Sequence, residues 1–280
     1  MRGLHRASGV ALIAVLWMVA ALGLAAHSLI GSLRGEIRHI GNERAALAAG
    51  ATADAAILLT LQELQVQRVT QLGEVRSYRP RFQDTEVEVD VIPLTGWIDI
   101  NNAPESLLVA LFQHGGDLAP AQAQLLAQAV KAFREQRGPG GRAQGFESSE
   151  DLLRVPGLDF DLYVKIQPLI TAELSSGGRV NPLVAPEPVL EVVAGGNTAL
   201  SGRIAAARGV AASSTDLTGL PPEHVDNGAS SRVCLCARVL LPDGQVLHRR
   251  WRVVLGNNAA TGLPWSIIGR EQRLVAAPSL

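Results

Sequence analysis

Hydrophobic and polar positions divide the chain into stretches with different periods. Val10 to Ala26 is an apolar run of 17 residues, which Leu29, Ile30 and Leu33 extend. That length is the lower edge of a bilayer span. From Ile30 onward apolar residues recur at alternating spacings of three and four: Ile30, Leu33, Ile37, Ile40, Leu47, Ala51, Leu58 and Leu61. Only Arg44 and Asp54 interrupt the series. Such spacing predicts a helical stripe. No proline precedes Pro80, so the pattern predicts one helix from about Val10 to about Gln71. Its first third suits lipid and the rest is amphipathic.

Thr85 to Ile92 alternates strictly. Val87, Val89 and Val91 face one way, and Glu86, Glu88 and Asp90 the other, as in a half-buried strand that Pro93 ends. Helical signals follow. Asn102 caps a helix with Pro104 and Glu105 in its first turn. A second helix runs from Pro120 to about Gln136 and is broken by Gly138-Pro139-Gly140-Gly141. Ser148 or Ser149 caps a short helix that stops at Pro156-Gly157. Another runs from about Asp161 to Leu174, kinked or split at Pro168. From Ser231 the pattern returns to strand: Arg232–Leu241 and Gln245–Leu255 flank a Pro242-Asp243-Gly244 turn, and Trp265–Val275 adds a last strand. A helical block between strands of one domain reads as an insertion, and the fold class is α+β. Within the block, Ile98 to Glu105 resembles Val180 to Glu187, each an extended segment leading through Ala-Pro-Glu into a leucine-bearing helix.

Composition narrows the chemistry. The 280 residues suffice for one large domain or two modest ones, and 47% hydrophobic content supports a core. The net charge of −1 gives no global basic field for nucleic acid. Cys234 and Cys236 lie on one face of a strand and read as small core residues. Histidines 5, 27, 39, 114, 224 and 248 show no metal-ligand spacing, and His114 reads as a surface or capping residue. No nucleotide-binding loop, nucleophile elbow or zinc-protease motif occurs, so the chain reads as a non-enzyme. Glu147, Glu150, Asp151, Asp159 and Asp161 surround one loop. Solvated capping explains them; a weak hard-cation site, such as one for Ca2+, from Glu150, Asp151, Asp159 and Asp161 is the functional alternative. Leu152 to Gly157 also matches the helix, Pro-Gly turn, helix order of helix-hairpin-helix DNA-binding modules. However, Asp159 and Asp161 follow the turn, and Lys131 and Lys165 are the lysines of the whole chain. Arg250 and Arg252 read as solvated arginines on the opposite strand face from a buried Trp251.

The charged start Met1 to Ser8, then Gly9 and the apolar run, resembles the class III signal of type IV pilins and type II secretion pseudopilins. The resemblance implies cleavage by a prepilin peptidase between Gly9 and Val10, N-methylation of Val10 and a retained anchor. The fifth mature position is Ala14, where most such proteins carry glutamate; the regular exception is the minor pseudopilin K family. Arg2, His5 and Arg6 keep the start cytoplasmic. The ordered motifs WIDINNAPESLL, FESSEDLLRVPGL followed by Leu162-Tyr163, VNPLVAPEPVL and IIGREQRL resemble that family along nearly the whole chain. Ala132 to Arg137 replaces a tryptophan-arginine-aspartate stretch, and Leu183 and Val184 replace asparagine and threonine. Both departures argue against carrying over a calcium site from relatives.

What the resemblance implies is a leader at 1–9, a transmembrane helix at 10–29 and its periplasmic continuation at 30–72. A pilin-like β-sheet head would take 73–95 and 195–280, with a helical domain inserted at 96–194. The implied role is a minor pseudopilin at the tip of the type II secretion pseudopilus. Its partners would be the I- and J-type minor pseudopilins, the major pseudopilin, the prepilin peptidase and the inner membrane, with no nucleic acid and no cofactor. The other classes are a membrane-anchored DNA-uptake protein and a secreted protein cleaved near residue 29.

Overall fold

One helix, α1, runs unbroken over Ala7–Val66 and lays its C-terminal third across an antiparallel sheet. The computed structural model describes residues 7–136, 145–173, 177–211, 215–258 and 261–276; for 7–13, 23–40 and 210–211 it describes the backbone course alone. α1 stops short of Gln71 because Arg68 takes a left-handed φ of 54°. The Val69 amide donates back to the Leu64 carbonyl at 2.8 Å, which closes the last turn.

Short strands β1 (Arg76–Tyr78), β2 (Arg81–Phe82) and β3 (Thr85–Glu86) precede β4 (Glu88–Pro93). After a long excursion the chain returns through β7 (Arg232–Leu240), β8 (Gln245–Leu255) and β9 (Trp265–Ala276). The main sheet has the order β1-β4-β7-β8-β9, every pair antiparallel. Alternation decides its faces. Val87, Val89, Val91, Val233, Leu235, Leu247, Trp251 and Val253 point to α1 and are buried against Ala53, Ala56, Ile57, Leu61 and Leu64.

The excursion is the inserted helical block. It comprises β5 (Ile98–Asp99), α2 (Glu105–Ala110) with a π turn at Leu111–Gly115, α3 (Pro120–Glu135), a 3-10 turn at Ser149–Arg154, α4 (Phe160–Ile166), β6 (Ile170–Thr171), α5 (Glu187–Val193) and α6 (Thr198–Ala211). It has its own core around Ile98, Leu107, Phe112, Val130, Ile166 and Leu190.

Several sequence expectations need adjustment. Asn102 does not cap α2; its side-chain Nδ2 donates to the Asp99 carboxylate at 2.6 Å, and Pro104 takes the cap position. The helix expected over 161–174 splits at Pro168: α4 ends at Ile166, a 3-10 turn follows, and Ile170-Thr171 pairs parallel with β5. Proline's missing N–H and its ring bulk explain the split. The insert does not end at residue 194. Ile204 of α6 and Leu220 are buried in its core, and the sheet resumes only at Arg232. Residues 138–141 and 174 lie outside the described residues.

The faint repeat is structural. Asp99 and Asn181 are both buried. The Asp99 side chain accepts from the Asn101 amide at 2.9 Å, and the Asn181 side chain accepts from the Leu183 amide at 3.0 Å. The Ala103 and Ala185 amides donate to the carbonyls of Asp99 and Asn181, and the Leu108 and Leu190 amides to those of Pro104 and Pro186. Each copy is thus an Asx turn feeding a short helix. Asn181 also ties the insert to the head, its Nδ2 donating to the Gly73 carbonyl at 3.0 Å and its amide to that of Thr95 at 2.7 Å.

His224 sits buried at this level of the insert, with Nε2 2.9 Å from Ser106 Oγ. Burial lowers its pKa below the usual imidazole value, against a weaker opposing pull from Glu223. A group depressed in the folded state contributes stability above its unfolded pKa and loses it as pH falls. The insert of the wild type is therefore expected to lose stability between about pH 7 and pH 5 relative to His224→Gln. Parallel melts of the two proteins across that range check this; parallel curves would refute it.

Candidate assembly surface

The described side chains of the apolar run all point to solvent. Ala14 to Leu22 is exposed throughout, with Trp17 73% and Leu16 70% accessible. Among the described residues, no other element covers them. A helical run of 17 residues spans about 26 Å, close to the thickness of a bilayer's hydrocarbon core. Gly41–Val66 is also long and apolar enough to cross a membrane. Its packing on the sheet, with Ala53, Ile57 and Leu61 fully buried, assigns that segment to the head's core instead.

The stripe on α1 matches the sequence expectation at Leu61, which is fully buried, and departs from it elsewhere among the described side chains. Leu47 is 77% exposed and Leu58 43% exposed, and Ala51 is exposed too. The buried line runs instead through Gly50, Ala53, Ala56, Ile57, Thr60, Leu61 and Leu64. Small residues at the upper end of that line let the helix approach the sheet closely, while the larger leucines beside it stay outside. Ile30, Leu33, Ile37 and Ile40 belong to a segment whose side chains lie outside the described residues. The outward leucines Leu58 and Leu59 join Phe82, Pro264 and Trp265 around a groove of about 560 Å³. This groove and the exposed segment Ala14–Leu22 are two apolar surfaces on α1, each suited to another helix.

The break at Asp54 has an electrostatic explanation. Its carboxylate accepts from Arg249 Nε at 2.6 Å and Nη2 at 2.8 Å, and from Trp251 Nε1 at 3.0 Å. Arg249 also donates to Gln272 at 3.1 Å. One partly buried, forked ion pair therefore fixes α1 on β8 and β9. The signal was present in the alternation: Arg249 shares the strand face of Trp251, and Asp54 sits among apolar helix positions.

Arg252 is not a solvated arginine. It pairs with Glu173 of the insert and with Glu271 of β9, each at 3.1 Å. Burial raises the pKa of Glu173, opposed chiefly by Arg252. With the Arg232 side chain donating to the Glu173 carbonyl, this clasp holds the insert on the sheet's outer face. Within the insert, Trp97 Nε1 donates to the Pro168 carbonyl at 3.2 Å.

Other candidate residues are placed as follows. Gly9 and Val10 lie in the first turns of α1, where only the backbone is described. The Asp151 carboxylate accepts from the Glu147 and Ser148 amides at 2.9 and 3.2 Å, and Arg154 lies 3.4 Å away. These bonds hold its pKa low against burial, the largest influence on it. Asp159 caps α4 through the Leu162 amide at 2.8 Å, Asp161 lies in that helix's first turn, and Glu150 bonds Ser149. Among the described residues no three His, Cys, Asp or Glu side chains are gathered closely enough to hold a metal ion. His114 is exposed.

The Pro156-Gly157 hairpin buries Leu152, Val155 and Leu158 in the insert's core. Nearby cations are already engaged: Arg154 with Asp151, Lys165 with Asp117 at 3.0 Å, and Lys131 with Glu105 at 3.2 Å. Among the described residues, these three cations of the insert each have a carboxylate partner.

Comparison with known proteins gives one structural likeness. The fold is similar to a chain of a solved structure titled as the GspK-GspI-GspJ complex from the type 2 secretion system of enterotoxigenic Escherichia coli. The identity is 17%, the TM-score 0.49, and the match covers 85% of this chain and 99% of that one. No protein-family model matches the chain, and no curated protein matches it.

Proposed function

We propose that this chain is a minor pseudopilin of a type II secretion system, anchored in the inner membrane by the start of α1, with its head and insert in the periplasm. It acts as a structural, non-catalytic subunit at the tip of the pseudopilus, and primes the filament that helps export folded proteins. One observation carries the tip position. The insert is fastened where α1 ends, through Leu72 paired with Ser230 and Gly73 bonded to Asn181. Bulk held at that end of the helix would stand where the next subunit of a stack would sit. Ala14 in place of a carboxylate supports the same position, since a subunit stacked within the shaft would use that charge to meet a neighbour's amino terminus.

Helix partners of the I and J type would lie along the apolar surfaces of α1. The major pseudopilin would follow below, after a prepilin peptidase has cut between Gly9 and Val10 and Val10 has been N-methylated. The test is the N-terminal mass of the protein co-expressed with a prepilin peptidase, beside Gly9→Ala. A start at N-methyl-Val10, abolished in the variant, is expected. A start near Ser28 or Leu29 that ignores Gly9 would sink the proposal.

A further inference from the structure

The outer face of β7 carries two thiols whose setting goes beyond small core residues. Cys234 and Cys236 are two positions apart on one strand, so both point away from α1, and their Sγ atoms lie 3.2 Å apart. Cys234 is buried beside Leu94 and Trp97. Cys236 is half-buried and lines a cavity of about 500 Å³ between sheet and insert, together with Trp97, Pro186, Arg208 and Arg250.

Three charged side chains influence Cys236 from the sheet: Asp90 on β4, Arg238 on β7 and Arg250, its register partner on β8. Hydrogen bonding with Cys234 lowers the Cys236 pKa, and the two arginines add to that against burial and Asp90. The same bond, with burial, pushes the Cys234 thiol well up. The geometry thus separates an attacking thiol open to a cavity from a buried thiol in reach behind it.

We propose that Cys236 and Cys234 form a redox-active dithiol, in which Cys236 attacks a small disulfide entering through the cavity and Cys234 resolves the product. In the first step the Cys236 thiolate bonds to one sulfur of the disulfide, the S–S bond breaks, and the second sulfur leaves as a thiolate that takes up a proton. In the second, the Cys234 thiol loses its proton and its sulfur displaces the remaining thiolate from Cys236. The dithiol is oxidised by two electrons and the small disulfide is reduced to two thiols. Along a strand the two Cα atoms are about 6.6–6.8 Å apart, the upper limit of disulfide geometry. The closed form is therefore strained and readily reduced, the property of an exchanging bridge rather than a structural one. This chemistry is independent of the assembly role.

The test uses the full chain in detergent micelles, incubated with glutathione disulfide, quenched by alkylation and read by intact and peptide mass. Wild type is expected to pass through a single glutathione adduct to a form lighter by two hydrogens, and to return when reduced glutathione is added. Cys234→Ser should stop at the adduct, and Cys236→Ser should form one about tenfold more slowly, the discrimination expected of a buried thiol. The wild type alone can decide the matter, whatever the variants' folding. If both its thiols stay free in the folded protein while a urea-unfolded sample oxidises, the pair is inert core and the proposal falls. Equal adduct formation on the two variants would overturn the assigned roles.

Discussion

Asp54→Ala is expected to destabilise the head by about 2–4 kcal/mol. The substitution leaves the guanidinium of Arg249, whose side chain is only 19% exposed, without its forked acceptor, and strips the Trp251 indole of its partner. The cost comes less from the lost attraction than from the charge stranded at the helix–sheet boundary. Two companions separate these contributions. Asp54→Asn keeps an acceptor for Trp251 and should cost less. Asp54→Ala combined with Arg249→Met should be milder than the sum of the singles, because no unpaired charge remains. Chemical denaturation followed by tryptophan fluorescence reads the wild type, these variants and the Arg249→Met single. A loss below about 0.5 kcal/mol for Asp54→Ala would mean that the pair behaves like an ordinary surface salt bridge.

Phe112→Ala is expected to cost about 3–5 kcal/mol, the range for emptying a packed aromatic site. Phe112 is fully buried in the insert's core, and that core shares no residue with the core between α1 and the sheet. The loss should therefore fall on the insert. Amide hydrogen exchange is expected to speed up over the described parts of 98–225 while the amides of β7 and β8 stay protected. Ile57→Ala, in the other core, should do the reverse. Exchange that rises together over both regions would show a single cooperative unit, coupled through the Glu173–Arg252 and Asn181–Gly73 contacts.

Strands were the most legible part of the sequence. Period-two alternation at Val87, Val89 and Val91, and the Pro242-Asp243-Gly244 turn, fixed both register face and hairpin position. α3 was equally plain because Pro120 opens it and Ala123, Leu126, Val130 and Phe133 mark one face. The buried phase of α1 was readable only at Leu61. Apolar residues fall on more than one side of the helix, so periodicity could not choose between Leu47 and Gly50, and the choice fell to close packing of small side chains. α6 escaped notice for a related reason: Thr198–Ala211 is rich in alanine and glycine, and its pattern carries little contrast. Asp54 with Arg249, and Glu173 with Arg252, lie far apart in sequence. Only the fold brings such pairs together. Within the candidate surface, the apolar run of α1, uncharged at Ala14, was visible from the first residues, whereas the groove at Phe82 and Trp265 needed the sheet.

Pro93 and Val233 stand opposite each other in the register of β4 and β7. The insert therefore departs from and rejoins the sheet at adjacent points, and this governs the order in which the chain can fold. β4 emerges early, but its second neighbour arrives only after the whole insert. Closing so long a loop while it is still flexible costs roughly 4 kcal/mol in chain entropy. An insert that has already folded holds its two ends side by side and removes most of that cost. Its core thus acts as a scaffold for the later sheet, so damage at Phe112 should slow formation of the head as well as loosen the insert.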